Sequence, residues 1–245
     1  MQELLLALGV VVTILSISSV RSAKLKAALY TLPIPITIIL IGTGNEINAT
    51  HLFSLLLVIF FFILTWCLYK KLKINIILSI ILALIGYVLT GILNQIIINI
   101  PFALIYASVS LGWVTWIILQ PLSHIRAKDN IPNLQFQDYA IRGITIFGLT
   151  YFMVGIRELI LGAAVTFPFN GIFTAYIMRD SLLYLVNEVI RNFIGIINFF
   201  GIIYLLQGHL PTWICFASGW FVCVVSILIV YKFLPRKSLL IKNLN

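Results

Sequence analysis

Three observations predict an all-α fold: a polytopic transmembrane helical bundle of about nine spans. Hydrophobic residues make up 62% of the 245-residue chain and charged residues only 9%, against roughly half and a quarter in a soluble domain. Apolar runs near the roughly 20 residues that cross a bilayer follow one another along the chain, separated by charges or turn residues. Most lysines and arginines fall in alternate gaps between these runs, the positive-inside pattern. Residues 1–245 therefore read as a single membrane domain, with the lipid bilayer as its first partner.

The runs cover 3–20, 27–43, 51–69, 74–95, 101–120, 139–156, 159–178, 181–206 and 211–231. The first has only Glu3 ahead of it and no convincing cleavage site before Arg21, so it reads as a retained helix. With nine spans, 13 of the 16 basic residues lie on one side: Arg21, Lys24, Lys26, Lys70, Lys71, Lys73, Arg126, Lys128, Arg179, Lys232, Arg236, Lys237 and Lys242. That side is the cytoplasm, which puts the N-terminus outside and the C-terminus inside. The Ile, Asn and Lys bias fits a bacterial chain, hence a multi-pass protein of the bacterial inner membrane, and makes Asn48-Ala49-Thr50 a chance glycosylation triplet. The net charge of +9 belongs to these clusters, so no nucleic-acid partner is expected.

The longest loop, 121–138, is polar and reads as a cytoplasmic linker between halves 1–120 and 139–235. Thr31-Leu32-Pro33-Ile34-Pro35 and Thr166-Phe167-Pro168-Phe169-Asn170 match early in a span of each half. Pro101-Phe102 through Ala107-Ser108 matches Pro211-Thr212 through Ala217-Ser218 with the same internal spacing. The two matches lie at different offsets, which makes the halves five spans and four, with 51–69 as the extra one. The early Pro-bearing spans of the two halves run in opposite senses, while the later spans led by Pro101 and Pro211 both enter from outside; repeats, some of them inverted, are a recurring transporter architecture.

Candidate functional residues are those that break the apolar runs. Pro33 and Pro35, and Pro168 with Asn170 and Gly171, would remove or weaken backbone hydrogen bonds inside spans. Interrupted helices in corresponding positions point to a midplane binding site; packing kinks are the alternative. The span 181–206 carries Asn187, Glu188, Arg191, Asn192 and Asn198. Glu188 and Arg191 sit at i and i+3, close enough to neutralise each other in hydrocarbon. A helix starting near Ser181 buries Glu188 about two turns deep as an ion-responsive carboxylate, with Asn187 and Asn198 toward substrate. A helix starting near Val189 leaves Glu188 at the interface and Arg191 snorkelling.

Arg157-Glu158, Asn94-Gln95 and His209 are expected as interfacial anchors, the border of an outer vestibule being the alternative, and Trp66, Tyr69, Trp213 and Tyr231 as an aromatic belt. Cys67, Cys215 and Cys223 lie in apolar runs without metal-ligand spacing, and His51 and His124 are isolated, so neither a metal nor another cofactor is expected. No zinc-protease, phosphate-loop or nucleophile-elbow motif occurs, which argues against an enzyme.

Phe167-Pro168, Tyr176-Ile177, Glu188-Val189-Ile190-Arg191 and Gly208-His209-Leu210-Pro211, leading into a span that ends at Lys232, resemble the GlpM-like family of small four-helix inner-membrane proteins. The resemblance covers residues 139–235, with the first half as a diverged second copy. It implies a helical inner-membrane protein linked to envelope polysaccharide production and supplies no catalytic residues. The function expected is a secondary transporter or flippase of a small or lipid-linked substrate; the alternative is a non-transporting accessory subunit of an envelope-biosynthesis complex. A homo-oligomer is a further expected assembly.

Overall fold

A computed structural model describes residues 2–20, 29, 32–119 and 136–233, and among them all regular structure is helical. The helices are α1 (Gln2–Ser18), α2 (Ile34–Thr43), α3 (Ala49–Trp66), α4 (Ile76–Gly91), α5 (Asn94–Ile97), α6 (Phe102–Leu119) and α7 (Phe136–Gly155). After these come α8 (Arg157–Ile160), α9 (Gly162–Val165), α10 (Phe169–Ile177), α11 (Leu182–Leu206) and α12 (Thr212–Phe233). Among the described residues, four helical segments are long and apolar enough to cross a membrane: Ala49–Lys71, Ile76–Ile97, Arg179–Leu206 and Thr212–Phe233. Most of the linker expected at 121–138, the start of the run 27–43, and the basic residues Arg21, Lys24, Lys26, Arg126, Lys128, Arg236, Lys237 and Lys242 lie outside the described residues.

Local chemistry sets several boundaries. The Asn48 side chain caps α3 by accepting from the Thr50 amide at 3.0 Å, and His51 Nδ1 closes the reciprocal bond from the Asn48 amide at 3.2 Å, so two orphan amides of the first turn are satisfied. Asn75 caps α4 through the Ile77 amide at 2.9 Å. α3 runs on through one π-helical turn, Cys67–Lys71, and stops where Lys73 takes a left-handed φ of 56°. α2 ends at Gly44, φ 64°, whose amide bonds back to Leu40, a left-handed cap that glycine adopts without steric cost.

The core sits around α3 and α11. α3 packs against α4, α6, α9 and α11, while α11 packs against α12, α3 and α6; α1 lies between α2 and α7. Tyr87, Phe61, Phe62, Phe199 and Phe200 are fully buried. Outside, large apolar side chains such as Ile144, Ile118 and Phe221 are exposed, as a surface facing lipid requires. Small residues let the long helices close on one another: a Cβ on Gly195 would stand 2.7 Å from Ile227 of α12, the close approach that membrane helices use where burial gives no drive to pack. At one end of the bundle, Gln207 clasps Ile47, accepting from its amide and donating to its carbonyl at 2.8 Å each.

The run 159–178 is not one helix. It is split into α9 and α10, and α8 is set off by Leu161 at φ 46°. The backbone freed by these breaks finds side-chain partners. Gln95 Nε2 donates to Glu158 and Leu159 carbonyls at 2.8 and 3.0 Å, and Asn94 Nδ2 donates to the Ile160 carbonyl at 2.8 Å. Tyr87 Oη donates to the Ala163 carbonyl at 2.9 Å, and Thr50 Oγ1 accepts the Gly162 amide at 3.0 Å. Asn94 is fully buried, and its amide is consumed by an interrupted neighbour.

Gly162 seats α9 against the first turn of α3, where an added Cβ would lie 2.5 Å from the His51 amide nitrogen. Both sides of that contact are backbone, so nothing can rotate away. Gly162→Ala should cost about 1–3 kcal/mol, the usual range for overpacking, read as a lower midpoint in thermal unfolding in detergent. Gly148→Ala, at a helical site where the new Cβ meets nothing within 4 Å, should leave the midpoint unchanged or raise it.

Candidate functional site

Pro33 and Pro168 adopt nearly the same backbone conformation, φ −78° and ψ 37° at the first, φ −78° and ψ 52° at the second. Each is the centre of an inverse γ-turn: the Ile34 amide bonds the Leu32 carbonyl at 2.8 Å, and the Phe169 amide bonds the Phe167 carbonyl at 2.8 Å. Each proline carbonyl then accepts the first helical bond, from Thr37 at 2.8 Å and from Ile172 at 3.0 Å. Proline fixes φ and has no amide to leave unbonded, so the same residue starts α2 and α10 in the same way. The prolines act here as helix starts, not as kinks within continuous helices.

Both turns border one cavity of about 50 Å³. Leu32, Pro35 and Ile36 line it from the first turn, Val165 to Phe169 from the second, Leu55 and Val58 from α3, and Val189, Phe193 and Ile196 from α11. Among the described residues its polar wall is Thr166, whose hydroxyl lies 3.0 Å from Tyr87 Oη and 3.2 Å from the Gly162 carbonyl. Water in so apolar a space has few of the two to four partners it needs, so the cavity suits an apolar group. Asn170 occupies the first turn of α10, beside the cavity wall in sequence.

Glu188 and Arg191 are elsewhere. α11 starts at Leu182, after one 3₁₀ turn at Arg179–Ser181, so Glu188 lies about 9 Å along it. The alternative start near Val189 does not occur. Glu188 is 5% exposed and faces α12, where Tyr231 Oη donates to its Oε2 at 2.9 Å. The Arg191 guanidinium lies 4.6 Å from the centre of the same phenol ring, and Asn192 Nδ2 reaches Tyr231 Oη at 3.4 Å. Tyr231 therefore joins both charges, through its hydroxyl to one and its ring face to the other. It is more than a belt residue at the membrane edge.

Further along the same seam, Asn198 Nδ2 donates to Ser226 Oγ at 2.8 Å and its Oδ1 accepts from Tyr106 Oη at 2.8 Å. Asn187 is half-buried on the preceding turn. α11 thus separates two features: Val189, Phe193 and Ile196 look into the cavity, while Glu188, Arg191, Asn192 and Asn198 look toward α12 and α6. The expected site residues do not converge on one space; Pro168 and the turn at Pro33 border one cavity, though Pro33 itself is not among its lining residues, and the polar set lies apart, along the seam with α12 and α6. Sequence reasoning missed Tyr87, Thr166, Tyr106, Ser226 and Tyr231, whose roles depend on partners far away in the chain. Among the described residues no group of three or more His, Cys, Asp or Glu gathers where a metal could be held.

Comparison of the chain with protein-family models, with curated proteins and with solved structures found no match. The resemblance to GlpM-like proteins rests on its residues alone.

Removing the Tyr231 hydroxyl leaves Glu188 short of one partner in a buried seam. Tyr231→Phe should lose about 1–3 kcal/mol, with Tyr231→Leu losing more because the ring beneath Arg191 goes too; thermal unfolding in detergent compares them. Equal midpoints for both variants and the parent would show that Tyr231 does not hold the charged pair.

Proposed function

We propose that the chain is a membrane protein of about nine spans in two repeats of five and four helices, acting as a secondary transporter or flippase with its substrate site at the cavity between α2 and α10. The observation that carries this is the matching pair of proline γ-turns on one cavity, in helices at corresponding positions of the two halves. Discontinuous helices that begin near the bilayer midplane and meet at a repeat interface are the usual setting of a transporter site. The grouping of span ends supports the alternation of spans: Ile47 meets Gln207, and Asn94 and Gln95 meet residues 158–160.

The apolar lining favours a small apolar substrate or the apolar part of a lipid-linked one. α11 is the common wall, so displacing it from the cavity side would also move Glu188 and Arg191 against Tyr231, which is how a charge change could couple to the site. The bacterial inner membrane, an outside N-terminus, a homo-oligomer and kinship with GlpM-like proteins belong to this proposal as the sequence supports them. The accessory-subunit alternative is favoured by the engagement of Glu188, Arg191 and Asn198 with neighbouring helices instead of an open space.

Cysteine accessibility distinguishes the two without a known substrate. In a chain with Cys67, Cys215 and Cys223 replaced, Phe193→Cys and Val58→Cys should react in sealed vesicles with membrane-impermeant thiol reagents added from either side. Ile144→Cys, facing lipid, should not. Labelling of the cavity positions from neither side would sink the transport reading and leave the accessory subunit.

A further inference from the structure

Charge is divided unequally between the two ends of the bundle. α3 and α11 run antiparallel, since Ile47, just before α3, clasps Gln207, just after α11. The end of α3 therefore lies toward the start of α11. The end of α12 lies there too, because an Arg191 Nη donates to the Val230 carbonyl at 3.5 Å. Among the described side chains this end carries Lys70, Lys71, Lys73, Arg179 and Lys232, with Asp180 as an exposed carboxylate. The opposite end carries Arg157 with Glu46 and Glu158, and no lysine among the described residues.

The positive charge is densest at the turn from α3 to α4. Lys70 and Lys71 close the π-helical turn and Lys73 follows at φ 56°, all three exposed. The Lys70 ammonium lies 4.7 Å from the centre of the Tyr69 ring, and that of Lys71 lies 5.1 Å from the centre of the Trp66 ring. Both cations are thereby held at the level where aromatic rings meet the headgroups. Lys70 and Lys71 also offset the dipole of the helix they end, but Lys73 stands beyond that helix.

Directly after the turn, Asn75 caps α4, whose outer face carries Ile77, Ile81, Ile85 and Leu89, all exposed. At intervals of four residues these side chains form one apolar stripe leading away from the lysines. A free phosphate would use the lysines and leave the stripe bare; a neutral lipid would use the stripe and leave the lysines uncompensated. An amphiphile with an anionic head matches both.

We propose that the turn between α3 and α4 binds an anionic phospholipid, with its phosphate against Lys70, Lys71 and Lys73 and one acyl chain along Ile77, Ile81, Ile85 and Leu89. The site is apart from the proline cavity, whose lining includes none of these residues, and it stands whether or not the chain transports anything.

The test titrates the full chain in a neutral detergent with phosphatidylglycerol, with phosphatidylcholine as the neutral lipid and with inorganic phosphate as the free anion. Binding is read by native mass spectrometry and by the thermal unfolding midpoint. Phosphatidylglycerol should bind more tightly than phosphatidylcholine, and inorganic phosphate should leave the midpoint unchanged. A lysine beside an anionic headgroup strengthens binding about fivefold, so Lys70→Gln, Lys71→Gln and Lys73→Gln together should weaken phosphatidylglycerol on the order of a hundredfold. Arginine at the same three positions keeps the charge and should bind as the parent does. If the triple glutamine variant does not fold, Lys73→Gln alone should still lose about fivefold. Equal binding of the two lipids, undiminished phosphatidylglycerol binding in the glutamine variants, or a midpoint raised as much by inorganic phosphate as by phosphatidylglycerol overturns the proposal.

Discussion

In a bilayer no water reaches the backbone, so every amide and carbonyl that leaves a helix must find a partner inside the protein. The rest of this structure depends on how that is done for residues 157–168. Gln95, Asn94, Tyr87 and Thr50 supply donors and an acceptor to the interrupted segment, and they come from α3, α4 and α5, not from the segment itself. The tight packing of α9 on α3 at Gly162 follows from the same need, since side-chain bonds of this length require the backbones to be close. Without these contacts α10 could not start at Pro168, and there would be no second turn to border the cavity.

α11 is the other organising element, and its two faces do different things. One face is apolar and closes the cavity with Val189, Phe193 and Ile196. The other carries the polar residues and is zipped to α12 and α6 through Tyr231, Ser226 and Tyr106. A charged pair buried in this way costs desolvation, and it is tolerated only because hydrogen bonds and a ring face complete its surroundings. The helix is thus rigidly joined on one side and only apolar contact on the other. A displacement of α11 would divide the structure more readily along the apolar side.

Much of this architecture is legible in the amino-acid sequence. The apolar runs at 3–20, 51–69, 101–120, 139–156, 181–206 and 211–231 each hold a helix, because periodicity and length are local properties of the chain. The break at Pro168 is legible too, since proline acts on its own backbone. The partner of each polar residue is not. Asn94 reads as interfacial because nothing nearby in sequence needs an amide; its acceptor is 66 residues away. Glu188 and Pro168 read as parts of one site because both interrupt apolar runs, whereas the rotation of α11 sends them to opposite faces. Tyr231 falls at a run end, where an aromatic ring has a sufficient explanation in the membrane interface, so nothing in its position points to the work of its hydroxyl.

The side chains that satisfy the interrupted segment share one property of position: Thr50, Tyr87, Asn94 and Gln95 all precede it in the chain. During synthesis they are already in the membrane when residues 157–168 emerge. The hairpin of α3 and α4 then serves as a mould, and the later segment can lose its helical bonds only where this mould offers replacements. A chain permuted so that 157–168 came first would present bare carbonyls to lipid before anything existed to receive them.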